Sequence, residues 1–171
     1  ATSSKIITNA HLINRGETPD LSNTEDFFFI KKSSPEAVAE AVKTLASERI
    51  PHKYGINVLN GLQVITPTKK TITGTANINT LIREAVNPKS DGRTEVEIKG
   101  RSYRVGDKVM QMKNNYNVVC CNKNGNYESG VFNGDIGVIT KIDIREKQIE
   151  VKYDEKTATY DFPDADQLEH A

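Results

Sequence analysis

The hydrophobic period changes once along this chain, at about Asp91-Gly92, and the two halves so defined need different kinds of fold. Before that point apolar residues recur at helical spacing. Ile6, Ile7, Ala10 and Ile13 follow Ser3 and Ser4, which can cap a helix, and Gly16 stands where the helix would end; the pattern predicts helix from Ser4 to Arg15. Ser33-Ser34-Pro35-Glu36 offers a cap with proline at the first helical position, and Ala37, Val38, Ala41, Val42 and Leu45 form the stripe of a second helix expected to stop before Pro51. A third helix is predicted from Thr75 to Val86, with Asn87-Pro88 as its stop. Between the helices, Asp26 to Ile30 and Leu62 to Thr66 are short apolar runs that read as buried strands. This rhythm predicts an α/β layer with a mostly parallel sheet.

From Thr94 onward the period is two. Val96 and Ile98, then Ile136 to Ile144, then Ile149, Val151 and Tyr153, then Ala158, Tyr160 and Phe162 alternate with polar residues, and the turns Arg145-Glu146-Lys147 and Asp154-Glu155-Lys156 join them. A small antiparallel barrel is expected, because an open sheet of that size would leave long edges exposed. Asn117 to Gly130 reads as a mobile loop interrupting it.

Several classes of chemistry find no support in the residues. The glycine-rich GxxxxGK[ST] loop of an NTPase and the GxGxxG dinucleotide fingerprint do not occur. His11, His52 and His170 are far apart, and the adjacent Cys120 and Cys121 neither staple distant strands nor complete a zinc site of ordinary spacing. Free thiols in a reducing, cytoplasmic setting are expected, with no membrane span and no signal core. No catalytic residues, cofactor or metal site are assigned to this chain, and a self-sufficient enzyme is disfavoured for want of a catalytic constellation.

The formal net charge is zero, with 23 basic and 23 acidic residues, yet the charges are unevenly placed. His52 to Lys113 carries eleven Lys and Arg against five acids, whereas Ile136 to Ala171 carries five against nine. A basic middle of this kind can hold a polyanion or can simply be solvated.

Three segments concentrate polar groups that could meet a nucleic acid. In the first, a strand ending at Thr66 would deliver Thr68, Lys69 and Lys70 to the start of the helix that opens at Thr75 and carries Asn79. Ligands gather at such carboxyl ends in open α/β sheets, and free helix amides favour phosphate; an ordinary strand-to-helix loop with threonine as cap accounts for the residues equally well. The second is Tyr103 to Gln111 with Asn114-Asn115-Tyr116, where Gly106-Asp107 makes a turn and Tyr116 offers a ring for base stacking. The third, Gly130 to Gly137, centres on Asn133-Gly134, a strong tight-turn signal between apolar residues.

Taken in order, Ile6 to Asn14, the Thr66-Pro67 loop with Asn79 and Asn87-Pro88, Arg104 to Gln111, Asn114 to Tyr116 and Val131 to Gly137 resemble the C-terminal motor region of RecD-like DNA helicases. These are superfamily 1B, 5′-to-3′ enzymes related to the alpha subunit of exodeoxyribonuclease V. The resemblance implies a partial RecA-like 2A layer over residues 1–92, an SH3-like barrel (2B) inserted over 93–163, and a return into 2A over 164–171. It implies that the Walker A and B motifs and the RecA-like 1A domain lie upstream, that ATP and Mg²⁺ belong to the parent enzyme, and that single-stranded DNA and a duplex fork are its partners. Lys69-Lys70 departs from the arginine plus lysine that relatives often carry, and Asn117 to Ser129 is longer than the family pattern requires.

The expected function is a DNA-tracking part of an ATP-dependent helicase that catalyses nothing alone. Thr66, Thr68, Lys69, Lys70, Thr75 and Asn79 are the candidates for backbone contact, since a motor that travels over every sequence must hold phosphates. Asn114, Tyr116, Asn133 and Gly134 are the candidates for the seam where barrel meets strand. The rival is a stand-alone SH3-like module that binds nucleic acid or protein.

Overall fold

A computed structural model describes residues 4–171, so the expected cap at Ser3 lies outside the described residues. The chain divides into two compact units, Ala1–Ser34 and Pro35–Ala171.

In the first unit, α1 (Lys5–Asn14) forms as the periodicity predicts and ends where Gly16, at φ 76°, donates back to Ile13 O at 3.0 Å. Its amino end is finished differently from expectation. Ser4 stands at the cap position, but its hydroxyl donates to Asp26, whose carboxylate accepts the Lys5 N–H at 3.1 Å and so supplies the capping acceptor itself. Buried Asn9 fixes the returning chain with a reciprocal pair of 2.9 Å bonds to the backbone of Asp20. Asp20 accepts from Lys5, Ser22 and the local backbone, which holds its carboxyl near 2. The strand expected at Asp26 to Ile30 is not formed. Thr24 N–H bonds Phe27 O and Phe29 N–H bonds the Asn23 side chain, so local turn chemistry takes the backbone groups a ladder would need, and Phe28, Phe29 and Ile30 are about half exposed.

The second unit begins with α2 (Pro35–Thr44), a π-helical stretch Leu45–Arg49 and α3 (Ile50–Tyr54). The helix therefore runs through Pro51, where termination was expected. Proline is tolerated because it sits in the first turn after the widened one and has no N–H to place; Gly55 at φ 64° makes the stop. An extended segment leads to α4 (Thr75–Val86), whose bounds match expectation, with Asn87 at its end.

The remaining chain is β-structure: β1 (Glu95–Ile98), β2 (Arg101–Arg104), β3 (Lys108–Gln111), β4 (Asn115–Asn122), β5 (Tyr127–Val131), β6 (Ile136–Asp143), β7 (Gln148–Lys152), β8 (Lys156–Asp161), a 3-10 turn Phe162–Gln167 and β9 (Leu168–His170). β1 and β2 form a hairpin, and the other seven make a sheet in the order β5-β4-β8-β7-β6-β3-β9. All pairings are antiparallel. Val131 from one edge strand and Leu168 from the other join a single core cluster with Val109, Cys120, Ile139, Ile149, Val151, Ala158 and Tyr160, so the sheet curls on itself. Gly137 permits the closest approach: a Cβ there would lie 2.7 Å from the Val151 side chain and 2.8 Å from Lys152 O.

Two further expectations are corrected. No parallel strand pairing is found among the described residues, and Leu62 to Thr66 forms no ladder; Ile65 is 90% exposed, while Lys108 Nζ donates to Leu62 O at 2.9 Å and Gln63 Oε1 at 3.0 Å. An apolar run without a neighbouring strand has nothing to pair with, and burial leaves the Lys108 ammonium below the ordinary lysine value. Asn117 to Gly130 is a hairpin rather than a mobile loop, its two arms paired from Val119↔Ser129 to Cys121↔Tyr127. Its polar composition hid the alternation, because one face of this hairpin is solvated. Among the described residues no helix is long and apolar enough to cross a membrane.

Candidate nucleic-acid interface

The clearest feature built from side chains is a charged lock between α4 and the barrel. Asp107 is fully buried and accepts three hydrogen bonds, from Arg83 Nε and the Asn87 amide on Oδ1 and from Arg104 N–H on Oδ2, each at 2.8 Å, and Arg83 Nη2 lies 2.8 Å from Oδ2 as an ion pair. Arg104 in turn reaches Glu95 at 2.6 Å, Glu84 at 3.3 Å and Asn87 O. Arg104's hydrogen bond holds the Glu95 carboxyl below the usual carboxylate range. His170 lies 3.9 Å from Asp107 and bonds Ser102 O through Nε2, and burial lowers its pKa. Gly106, at φ 94°, is required because a Cβ would come within 2.9 Å of the Asn87 amide. Two of the eleven basic residues counted in the middle of the sequence, Arg83 and Arg104, are thus committed inside the molecule. Every partner in the lock is satisfied, which makes it architecture and not a binding site.

Beside the lock, the first group of candidate residues lines the loop before α4. Thr66 Oγ1 donates to Thr68 O at 2.8 Å and the hydroxyls of Thr68 and Thr71 are 2.7 Å apart. The amides that were expected to face a phosphate are already used: Thr75 N–H donates to Thr68 O at 3.0 Å and Ala76 N–H to Lys69 O at 3.3 Å. Gly74 allows this fold-back, since a Cβ would meet the Lys69 carbonyl at 2.7 Å. Asn79 donates to His170 O at 2.7 Å, tying α4 to β9. Lys69 is paired with Glu169, whereas Lys70 is exposed and forms no ion pair among the described residues. Lys69, Thr75, Asn79, Arg101, Met112 and Glu169 border a groove of about 500 Å³.

The second group does come together. Asn114 Oδ1 accepts the Asn133 N–H at 2.9 Å; Gly134, at φ 94°, donates to Gln111 O at 2.8 Å; and Asp135 caps the turn by accepting the Phe132 N–H at 2.9 Å. Tyr116 is 65% exposed and stands edge-on to Phe132, centroids 5.9 Å apart, while Lys156 Nζ lies 5.1 Å above the Phe132 ring. Behind this surface is a buried polar chain in which Tyr153 and Tyr160 hydroxyls share a 2.7 Å bond, Tyr160 donates to Gln111 Oε1, and the Gln111 and Asn115 amides both donate to Gln167 Oε1, each at 2.9 Å. Burial pushes Tyr153 up to about 12 and raises Tyr160 as well, so both remain neutral donors. A rigid backing under an exposed ring is what a stacking platform needs.

These elements carry a known signature. Residues 78–153 match the family model for the SH3 domain of ATP-dependent RecD-like DNA helicases. The match supports the RecD-like resemblance and an SH3-type barrel. It takes in the lock from Arg83 to Asp107, Asn79, Asn114, Tyr116, Asn133 and Gly134, and leaves outside it Thr66, Thr68, Lys69, Lys70, Thr75 and Glu169. Sequence reading did not bring Phe132 and Lys156 to Tyr116; the aromatic next to Asn133-Gly134 was the available signal. It also missed Glu169, which only strand pairing brings to Lys69.

Proposed function

We propose that this chain is the strand-guiding part of an ATP-dependent, 5′-to-3′ RecD-like DNA helicase, and that single-stranded DNA passes over the Tyr116 platform. The observation that supports this most is an exposed, rigidly backed aromatic, Tyr116, on the segment that matches the RecD-like SH3 domain, with Lys156, just past that segment, over the neighbouring Phe132 ring. Base stacking on Tyr116 is indifferent to sequence, as a translocating protein requires, and Lys156 and Lys70 add charge without base readout. In this reading α2 to α4 belong to a RecA-like layer, and the lock transmits their movement to the barrel as one body. The residues present do not fit a site for ATP and Mg²⁺: the first α4 amides are spent on Thr68 and Lys69 carbonyls, and no group of three His, Cys, Asp or Glu converges among the described residues.

The test is binding of a fluorescent dT oligonucleotide followed by polarisation. Tyr116→Ala is expected to weaken binding by about 5- to 150-fold, the equivalent of 1–3 kcal/mol for one stacked base, with no change in melting temperature. Unchanged affinity would remove the platform from the strand path.

A further inference from the structure

The groove beside α4 contains an acid that the strand-guiding reading does not use. Lys69 Nζ donates to both oxygens of Glu169, at 3.0 and 3.1 Å, and Arg101 Nη2 lies 3.7 Å from the same carboxylate. Glu169 is set by β9, opposite Met110 of β3, and Asn79 secures that strand through His170 O. The lysine is carried on the loop and is 63% exposed. One anion is thus held between two cations by a bond that water reaches easily, and such pairs are worth no more than about 1 kcal/mol. Below them, Val64, Ala76, Met110 and Met112 give the groove an apolar lining, and its volume of about 500 Å³ is enough for a nucleotide unit.

Resting on the strand-guiding reading, we propose that Glu169 is a built-in competitor for strand phosphates: it occupies Lys69 and Arg101 until a phosphodiester of single-stranded DNA enters the groove and takes its place. The donors that grip a carboxylate through two oxygens suit a phosphate equally. Exchange releases Glu169 to solvent and forms no covalent bond. The acid thereby raises the affinity a strand must have to stay, so that short or single-phosphate ligands are rejected.

The two methionines of the chain, Met110 and Met112, both line this groove, so ¹³C-methyl-methionine labelling gives a pair of resonances that report its occupancy. The full chain is titrated with dT oligonucleotide at low salt, with total binding followed in parallel by polarisation. Saturable shifts of both methyl signals are expected, and Glu169→Gln should tighten dT binding about two- to five-fold, a gain lost in Glu169→Gln/Lys69→Ala. Should Glu169→Gln melt early, Lys69→Gln serves in its place, with weaker binding and a salt slope shallower by about 0.7. Binding by polarisation with unmoved methyl signals, or with no gain in Glu169→Gln, overturns the competitor and leaves the Tyr116 path standing. Methyl shifts with ADP but not with dT would assign the groove to free nucleotide and overturn it too. Absence of any dT binding would overturn the strand-guiding reading itself, and this proposal with it.

Discussion

Two ion pairs are anchored on or beside α4, and they differ in every property that separates architecture from recognition. Asp107 is wholly buried and holds Arg83, Asn87 and Arg104 through three hydrogen bonds and an ion pair, whereas Glu169 meets Lys69 at the surface and shares it with water. Buried and saturated, the first fixes where the barrel sits on the helix; exposed and exchangeable, the second is free to be replaced by an anion of the same shape. The identity of the charges says little about which role a pair has, and burial with partner count says nearly all of it.

Removing the acid from each pair should therefore give very different losses. Asp107→Ala strands the Arg83 guanidinium and the Arg104 N–H in a dry site and is expected to cost about 3–5 kcal/mol in urea unfolding. A loss below about 1 kcal/mol would erase the contrast. Next in size is Gly106→Ala, which forces a side chain into a left-handed backbone and against Asn87; about 1–3 kcal/mol is expected from the same measurement.

Acid should weaken the lock. His170 has its folded-state value lowered by burial, so below its ordinary 6.5 the unfolded chain binds the proton that the native state refuses, and stability falls as pH drops through that window. Glu95, held low first by the Arg104 hydrogen bond, adds stability that is present above its ordinary 4.5 and is lost as pH falls through its lowered value. Urea midpoints measured from pH 8 to 2 should decline in both windows, and His170→Gln should flatten the upper one. The smallest effect is expected from Lys69→Ala, below about 1 kcal/mol in stability at any of these pH values.

How much of this was legible beforehand depends on the range of the interactions. Local signals read well: Asn87-Pro88 and the apolar stripe gave α4 its ends, and period-two alternation located β1 and β6 to β8. The Asn133-Gly134 turn and its neighbours Asn114 and Tyr116 were also visible, because turn chemistry is written in a few adjacent residues. Leu62 to Thr66 failed because an apolar run states that it prefers burial, not that a strand lies beside it. Asn117 to Gly130 failed in the opposite sense, a half-solvated hairpin looking like loop. The lock was invisible: Arg83, Glu95, Arg104 and Asp107 read as scattered surface charge until β2 and the Gly106 turn bring them to the end of α4.

The central claim is that a single strand runs over Tyr116. The most direct measurement is photocrosslinking of an oligonucleotide carrying 5-iodouracil, followed by mass spectrometry of the attached peptide. Attachment at Tyr116 or Phe132, abolished by competing unlabelled dT, is the predicted result; specific attachment confined to the hairpin tip at Tyr127, or to α1, would contradict it.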